Sequence, residues 1–281
     1  MQESIVVSAL FIYPVKSLRG IRVDAATLEK GRLFGDRDYL LMDSDGQFMD
    51  QRHYPRMARI EPMVTASGLR LRAAGFPDLD VPAPAPGAEL AVTHVHLFRR
   101  SAPVMATSVE ADRWLSDVLN GSCRLMAFVS SASASNVPFY EVHSSLHDAT
   151  PFHLTSEESL ADLNARAGTS LPMNRFRPNL VVRGAGAYAE DSWRTLAIGG
   201  TVLRWIKPCT RCVTTTTDHV TGERSSREPL LTLAKYRRHG SSVVFGHYLM
   251  AERWGAELRV GNPLRIIETE DAAFKRAIVL R

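Results

Sequence analysis

Two cysteines three residues apart, in Pro208-Cys209-Thr210-Arg211-Cys212, are the side chains best able to do chemistry. A Cys-x-x-Cys run has four chemical readings. It can be half of a zinc site, although only one other cysteine exists and no closely spaced histidine pair follows; His219, His239 and His247 are the nearest candidates. It can be a dithiol redox pair, but such pairs stand where a strand enters a helix, and Val213-Thr214-Thr215-Thr216-Thr217 predicts a strand. Both thiols can be buried as small apolar groups. Finally, one of them can be a thiolate ligand for a soft metal, with Arg211 as the neighbouring cation that favours the ionised form. Local spacing leaves all four open.

Other segments place cations and hydroxyls at turns. Lys16-Ser17 follows the first apolar run, and Arg37 lies in Gly35-Asp36-Arg37-Asp38. Thr155-Ser156 stands where a helix begins, so free backbone N–H groups could favour an anion. Arg177-Pro178-Asn179 leads into a short apolar strand. Taken singly these are ordinary: a solvated turn, a helix cap, a surface arginine. Asp218, His219 and His247 could move protons, but a loop aspartate and a strand histidine are as readily structural.

The elements that must position these groups are mostly strands. Ile5–Tyr13 opens the chain. Ala25–Leu28 and Tyr39–Met42 follow, with Asp43-Ser44-Asp45-Gly46 as a hairpin turn before Phe48-Met49. Val64–Leu71 predicts a hairpin about Ser67-Gly68, Val81–Gly87 a proline-rich loop, and Leu90–Phe98 a half-buried strand. Three helices are expected: one capped by Ser108 and closed by Gly121, one opening at Thr155-Ser156-Glu157-Glu158 and closed by Gly168, and one from Pro229 to Arg238 closed by Gly240. Further strands are expected at Leu180–Val182, Val202–Ile206, Val243–Met250 and Leu264–Ile267. Ser130–Pro138, small and polar, suggests a boundary between halves. The fold class is α+β and β-rich, a barrel-like N-terminal domain (1–128), a second β-barrel domain with peripheral helices (129–270) and a short tail (271–281).

The chain has 281 residues and a formal net charge of +4. Its three cysteines are too few for a disulfide framework or a Cys₄ iron–sulfur cluster, so a reducing, cytoplasmic location and an outside source of electrons are expected. There is no secretory signal, no membrane-length apolar run, no dinucleotide or P-loop glycine pattern and no nucleic-acid motif. Neither a membrane nor a nucleic acid polymer is an expected partner.

Read together and in order, Tyr13-Pro14-Val15-Lys16-Ser17, Gly35-Asp36-Arg37, Leu154-Thr155-Ser156-Glu157, Phe176-Arg177-Pro178-Asn179-Leu180, Ala189-Glu190-Asp191-Ser192-Trp193 and Cys209-Thr210-Arg211-Cys212 resemble the MOSC family. The likeness is to the branch of the mitochondrial amidoxime-reducing component and its bacterial relatives. It continues through Arg227-Glu228-Pro229-Leu230-Leu231-Thr232-Leu233 and Phe245-Gly246-His247-Tyr248. The resemblance implies a molybdenum–molybdopterin cofactor, with Cys212 as the metal ligand and catalytic centre. Lys16, Ser17, Arg37, Thr155, Ser156, Arg177, Asn179, Thr210, Arg211 and Tyr248 are the implied cofactor contacts. Their chemistry suits a phosphate and a polar pterin. Cys209 is expected to be structural. The implied activity is reduction of small N-hydroxylated compounds (bases, amidoximes, hydroxylamines) with electrons from a separate flavin, haem or iron–sulfur carrier. The alternative is a cofactor carrier or sulfur-transfer module without turnover. The mitochondrial relatives' targeting segment and the C-terminal ferredoxin-like domain of some bacterial ones have no counterpart in the resemblance, so donor and location are not inherited from them.

Overall fold

The computed structural model describes residues 4–29, 32–84, 91–97, 100–129 and 146–270. A large sheet carries the site. In spatial order it runs Leu264–Thr269, Trp193–Ile198, Thr201–Arg211, Ser242–Ala251, Phe152–Ser156, Leu180–Arg183, Val6–Ile12 and Ile21–Val23, with Arg238–His239 attached to Ser242–Ala251. It curls into a half-barrel. Neighbours are antiparallel except Phe152–Ser156 and Leu180–Arg183, which are parallel and joined by a helix crossover. Val7, Leu10, Phe152, Leu154, Leu180 and Leu203 fill its concave core. The first strand thus sits in the same sheet as the last third of the chain, paired Leu10 to Leu180.

Smaller sheets complete the N-terminal half. Tyr39–Asp43, Cys123–Phe128, Arg100–Ala106 and Val92–Leu97 form one, and Glu61–Thr65, Gly68–Arg72 and Leu79–Pro82 another. A third ties Ala25–Glu29 to Glu257–Arg259 across the two halves.

Helix α1 spans Val109–Leu119, α2 Glu157–Ala167 and α3 Leu230–Tyr236. Ser108 caps α1 as expected, its Oγ accepting from the Ala111 N–H at 3.0 Å; at α2 the cap is Ser156, which accepts from the Ser159 N–H at 3.1 Å, one residue later than the capping box Thr155–Glu158 implies. Gly168 closes α2 in the left-handed region. The other ends differ from expectation. Asn120, not Gly121, takes the left-handed conformation after α1, since asparagine tolerates it with little strain. Helix α3 stops at Tyr236 because Arg238 pairs with Val243. Leu79–Pro82 is an edge strand, where its proline needs no ladder partner, so the loop expected from Val81 begins later. Residues 85–87, Leu90, Phe98 and the 130–138 loop lie outside the described residues.

The largest correction is at Val213-Thr214-Thr215-Thr216-Thr217. The expected strand is one turn of 3₁₀ helix, Val213–Thr216. β-Branched residues favour a strand only where a ladder is available. Here the hydroxyls of Thr215 and Thr216 instead donate to the carbonyls of Cys212 (2.9 Å) and Val213 (2.8 Å), and the Thr215 N–H also turns back on Cys212.

Candidate functional site

The strand Thr201–Arg211 delivers the cysteine pair. Its register on Ser242–Ala251 slips between Pro208 and Thr210, which face His247 and Val244. Two steps on one strand meet three on the other, so the extra residue lies in Phe245-Gly246, a bulge that re-aims the strand. Gly246 has φ +74°, and a Cβ there would stand 2.5 Å from His153 Nε2 and 2.5 Å from the Leu154 carbonyl. The bulge and the glycine together let Phe152–Ser156 approach closely enough to bring His153 beside Cys209 and Arg211.

Within the strand Cys209 and Arg211 share a face, because side chains repeat every two residues. Arg211 Nη1 therefore donates to Cys209 Sγ at 2.6 Å, and Nη2 to the Phe176 carbonyl at 2.6 Å. The expectation that Arg211 supports its sequence neighbour is thus corrected: its guanidinium serves Cys209. Cys209 is buried, and burial is what pushes its thiol up, against the opposing field of Arg211. Cys212, one residue past the strand, is exposed, with Sγ 3.3 Å from Thr214 Oγ1. The pair is asymmetric: one thiol sealed in the wall, one presented at the surface. Among the described residues no three His, Cys, Asp or Glu side chains converge as a metal-ligand cluster, so the zinc reading finds no further ligands there.

Cys212 opens onto a cavity of about 140 Å³ between the two halves. Of the residues singled out from sequence, Lys16, Ser17, Arg37, Arg177, Thr210, Arg211 and Tyr248 line it together with Cys212. Ser17, Arg37 and Arg177 all adopt left-handed backbone, with φ of 67°, 58° and 54°. For side chains other than glycine that conformation is costly, and here it turns three donors into one space. Tyr13 holds two of them apart. Its ring lies between the guanidiniums of Arg37 (4.7 Å) and Arg177 (4.3 Å), and its hydroxyl donates to the Pro178 carbonyl at 2.9 Å.

Three of the expected residues stand elsewhere. Asn179 lies behind the wall, donating to the Phe11 carbonyl and accepting from His153 N and Arg37. It orients Arg37, which Asp36 neutralises. Thr155 is fully buried against Met173 Sδ. The Ser156 hydroxyl caps α2 and meets Ser159 and the buried Glu190 carboxyl. The start of α2 is therefore closed by protein groups and does not face the cavity.

Several lining groups carried no sequence signal of their own. Asp148 pairs with Lys16; partial desolvation works against its charge, but the charges of Lys16, Arg37 and Arg177 outweigh that cost and hold its carboxyl down at about 2. Asp50 pairs with Arg52, and Gln51 donates to the Ser17 carbonyl at 2.7 Å. His153 is held neutral, its basicity suppressed by burial and then by Arg211. Its Nδ1 lies 3.3 Å from the Arg177 carbonyl and its Nε2 3.4 Å from both the Phe245 carbonyl and Arg211 Nη1; in the tautomer protonated at Nδ1, Nε2 accepts from Arg211. The other candidate proton carriers lie outside the cavity. Asp218 pairs with Arg175, and His247 is locked between Trp205 Nε1 (3.0 Å) and Asp191 (2.8 Å). His219 is buried, and burial then Arg177 depress it to about 3.

Five cations and two carboxylates line the cavity. Lys16 and Arg52 meet the two carboxylates directly. Arg177 and Arg211 instead donate to backbone carbonyls, of Leu18 at 2.6 Å and of Phe176. Arg211 Nε is buried with no hydrogen-bond partner among the described residues. Burial drives the Arg177 guanidinium down to about 10. Charge in excess, desolvated and incompletely bonded, is what an anionic ligand relieves.

Residues 4–122 match the MOSC N-terminal beta barrel domain and residues 141–265 the MOSC domain. The chain belongs to the MOSC family. Full-length relatives in that family include the mouse mitochondrial amidoxime-reducing component 1, 34% identical with 95% of this chain and 84% of that protein aligned, and its human counterpart, 31% identical over the same shares. The rice molybdenum cofactor sulfurase is 30% identical over 87% of this chain but 32% of its own length. By its name the sulfurase acts on the molybdenum cofactor, and so ties one relative of this chain to that group. In this chain the donor set fits such a group: one exposed thiol, two half-buried guanidiniums that meet carbonyls and, for Arg211, also a thiol and an imidazole, but no carboxylate, and directional hydroxyls at Thr210 and Tyr248. Among the described residues no helix is long and apolar enough to cross a membrane.

Proposed function

We propose that the protein is a molybdenum cofactor-dependent reductase of N-hydroxylated compounds (bases, amidoximes, hydroxylamines) that takes electrons from a separate donor protein. The observation that carries this reading is the exposed Cys212 thiol at the mouth of a cavity walled by Arg177 and Arg211, whose charges meet backbone carbonyls and no carboxylate in direct hydrogen bond. Cys212 would be the soft ligand of the metal. Arg177, Arg211, Arg37 and Lys16 would hold the phosphate, with Ser17, Thr210 and Tyr248 as directional partners and Asn179 acting through Arg37. Thr155 and Ser156 would act at one remove, by fixing the strand that carries His153 and the helix that follows it. When bound, the cofactor supplies the two-electron redox chemistry at the N–O bond. The chain supplies the thiol ligand, the cationic walls and the neutral His153 that buttresses Arg211. Cys209, protonated and held by Arg211, has a structural part.

Cofactor-loaded protein given a strong artificial reductant should convert benzamidoxime or 6-hydroxylaminopurine to the amidine or amine. Absence of turnover on both overturns the reading. The sulfurase relative supports a second reading, a carrier or sulfur-transfer module, which predicts stoichiometric release of cofactor to an acceptor in place of steady-state turnover.

A further inference from the structure

A second depression, about 570 Å³, adjoins the Cys212 turn. The 3₁₀ turn is the ridge between the two. Cys212, Thr214 and Thr215 face the first cavity, while Val213 and Thr216 face the second, and Arg211 borders both. The charge of this groove is one-sided. Arg211, Arg224, Arg227 and Arg238 line it, and no described carboxylate does. Glu228, the acid nearest in sequence, is turned away, accepting from the Thr232 N–H and hydroxyl at 3.1 and 3.0 Å. Arg224 is fixed by Thr217 and by carbonyls of residues 51 and 52. Arg227 and Arg238 project at the rim. Between the cations lies an apolar floor, with Val213 and Leu231 left 38% and 47% exposed.

We propose that this groove seats the non-reacting end of the substrate: a flat apolar body that ends in an anionic group, carboxylate or phosphate. The inference rests on the reductase reading of Cys212 and adds the substrate's class. Apolar surface beside unneutralised guanidinium selects an amphiphilic anion over a neutral or cationic molecule. The volume is that of a small-molecule site.

The test compares each neutral substrate with its anionic partner on cofactor-loaded protein. The pairs are benzamidoxime with 4-carboxybenzamidoxime, and N4-hydroxycytidine with its 5′-monophosphate. The expected preference in kcat/KM is about tenfold for the anionic member of at least one pair, the size of two partly exposed charged contacts. The responding pair tells carboxylate from phosphate. In R227A/R238A the preference falls to within about twofold, and R227K/R238K retains most of it. No preference in either pair, or one that R227A/R238A leaves intact, overturns the proposal. If no compound of either pair is turned over, the reductase reading fails, and binding decides the groove. Titration of the protein with 4-carboxybenzamidine and benzamidine then upholds it if the acid binds about tenfold tighter and R227A/R238A abolishes the difference. Equal affinities overturn it.

Discussion

Arg177 offers a direct test of whether the cavity is built for an anion. Its guanidinium, driven by burial from its ordinary value to about 10, carries roughly 3 kcal/mol of unfavourable desolvation at ~1.4 kcal/mol per tenfold. The side chain keeps partial contact with solvent, so roughly half of that is retained. Arg177→Met removes this cost, but also the hydrogen bond to the Leu18 carbonyl and the stacking on Tyr13, each about 1 kcal/mol. The two sides nearly cancel, so without a polyanion the variant should lie within ~1 kcal/mol of wild type. Pyrophosphate changes the comparison. At a hundred times its dissociation constant it should stabilise wild type by about 2.7 kcal/mol. The variant, lacking one charge-assisted contact, should lose about 1.5–3 kcal/mol of binding. The melting temperatures, nearly equal in chloride buffer, should separate by roughly 2–4 °C in pyrophosphate. If Arg177→Met costs the same with and without pyrophosphate, the residue is structural and the argument fails. A wild-type melting temperature that ignores pyrophosphate refutes it as well.

The asymmetry of the cysteines predicts that Cys212→Ala loses molybdenum and Cys209→Ala keeps it; equal loss by elemental analysis would make them joint ligands. In the cofactor-free native protein, iodoacetamide should label Cys212 alone, since Cys123 and Cys209 are buried; mass spectrometry of the modified peptides reads this out. Gly246→Ala should destabilise by more than about 2 kcal/mol in urea unfolding, because its Cβ would meet His153 and the Leu154 carbonyl in a left-handed backbone. His219 sits near 3 in the folded chain and near 6.5 unfolded, so its stability contribution is complete above pH 6.5 and is lost as pH falls toward 3. Between pH 7 and 5 it should account for about 2 kcal/mol of lost stability, which His219→Phe removes; an unchanged pH slope in the variant refutes the assignment.

Sequence disclosed the framework and most of the cavity wall. The cap at Ser108 and the start of α2 to within one residue were legible because capping is local chemistry over three residues. Lys16, Arg37 and Arg177 stood out as cations at turns, and the left-handed backbone at Arg37 and Arg177 shows why those turns exist. What stayed hidden depends on register. That Arg211 would serve Cys209 follows from a two-residue repeat, but only once the strand is known to run through Arg211 and stop. The threonine run looks like a strand until its hydroxyls are seen to close a turn on Cys212 and Val213. Asp148 and His153 enter the cavity through pairing with residues more than fifty positions away, of which no nearby residue gives notice. Thr155 and Ser156 show the converse: a helix start with the right chemistry, closed by Glu190.

The large sheet joins Val6–Ile12 to strands as late as Ser242–Ala251 and Leu264–Thr269. Lys16 and Ser17 leave the ribosome some two hundred residues before Cys212 and Tyr248, and must wait for them. The cavity is complete only once the strand that bears Tyr248 has been made, so a cofactor held there as proposed would not be captured on a half-built protein. On the proposed function, loading would then be an event in the life of a folded protein that waits with its site assembled.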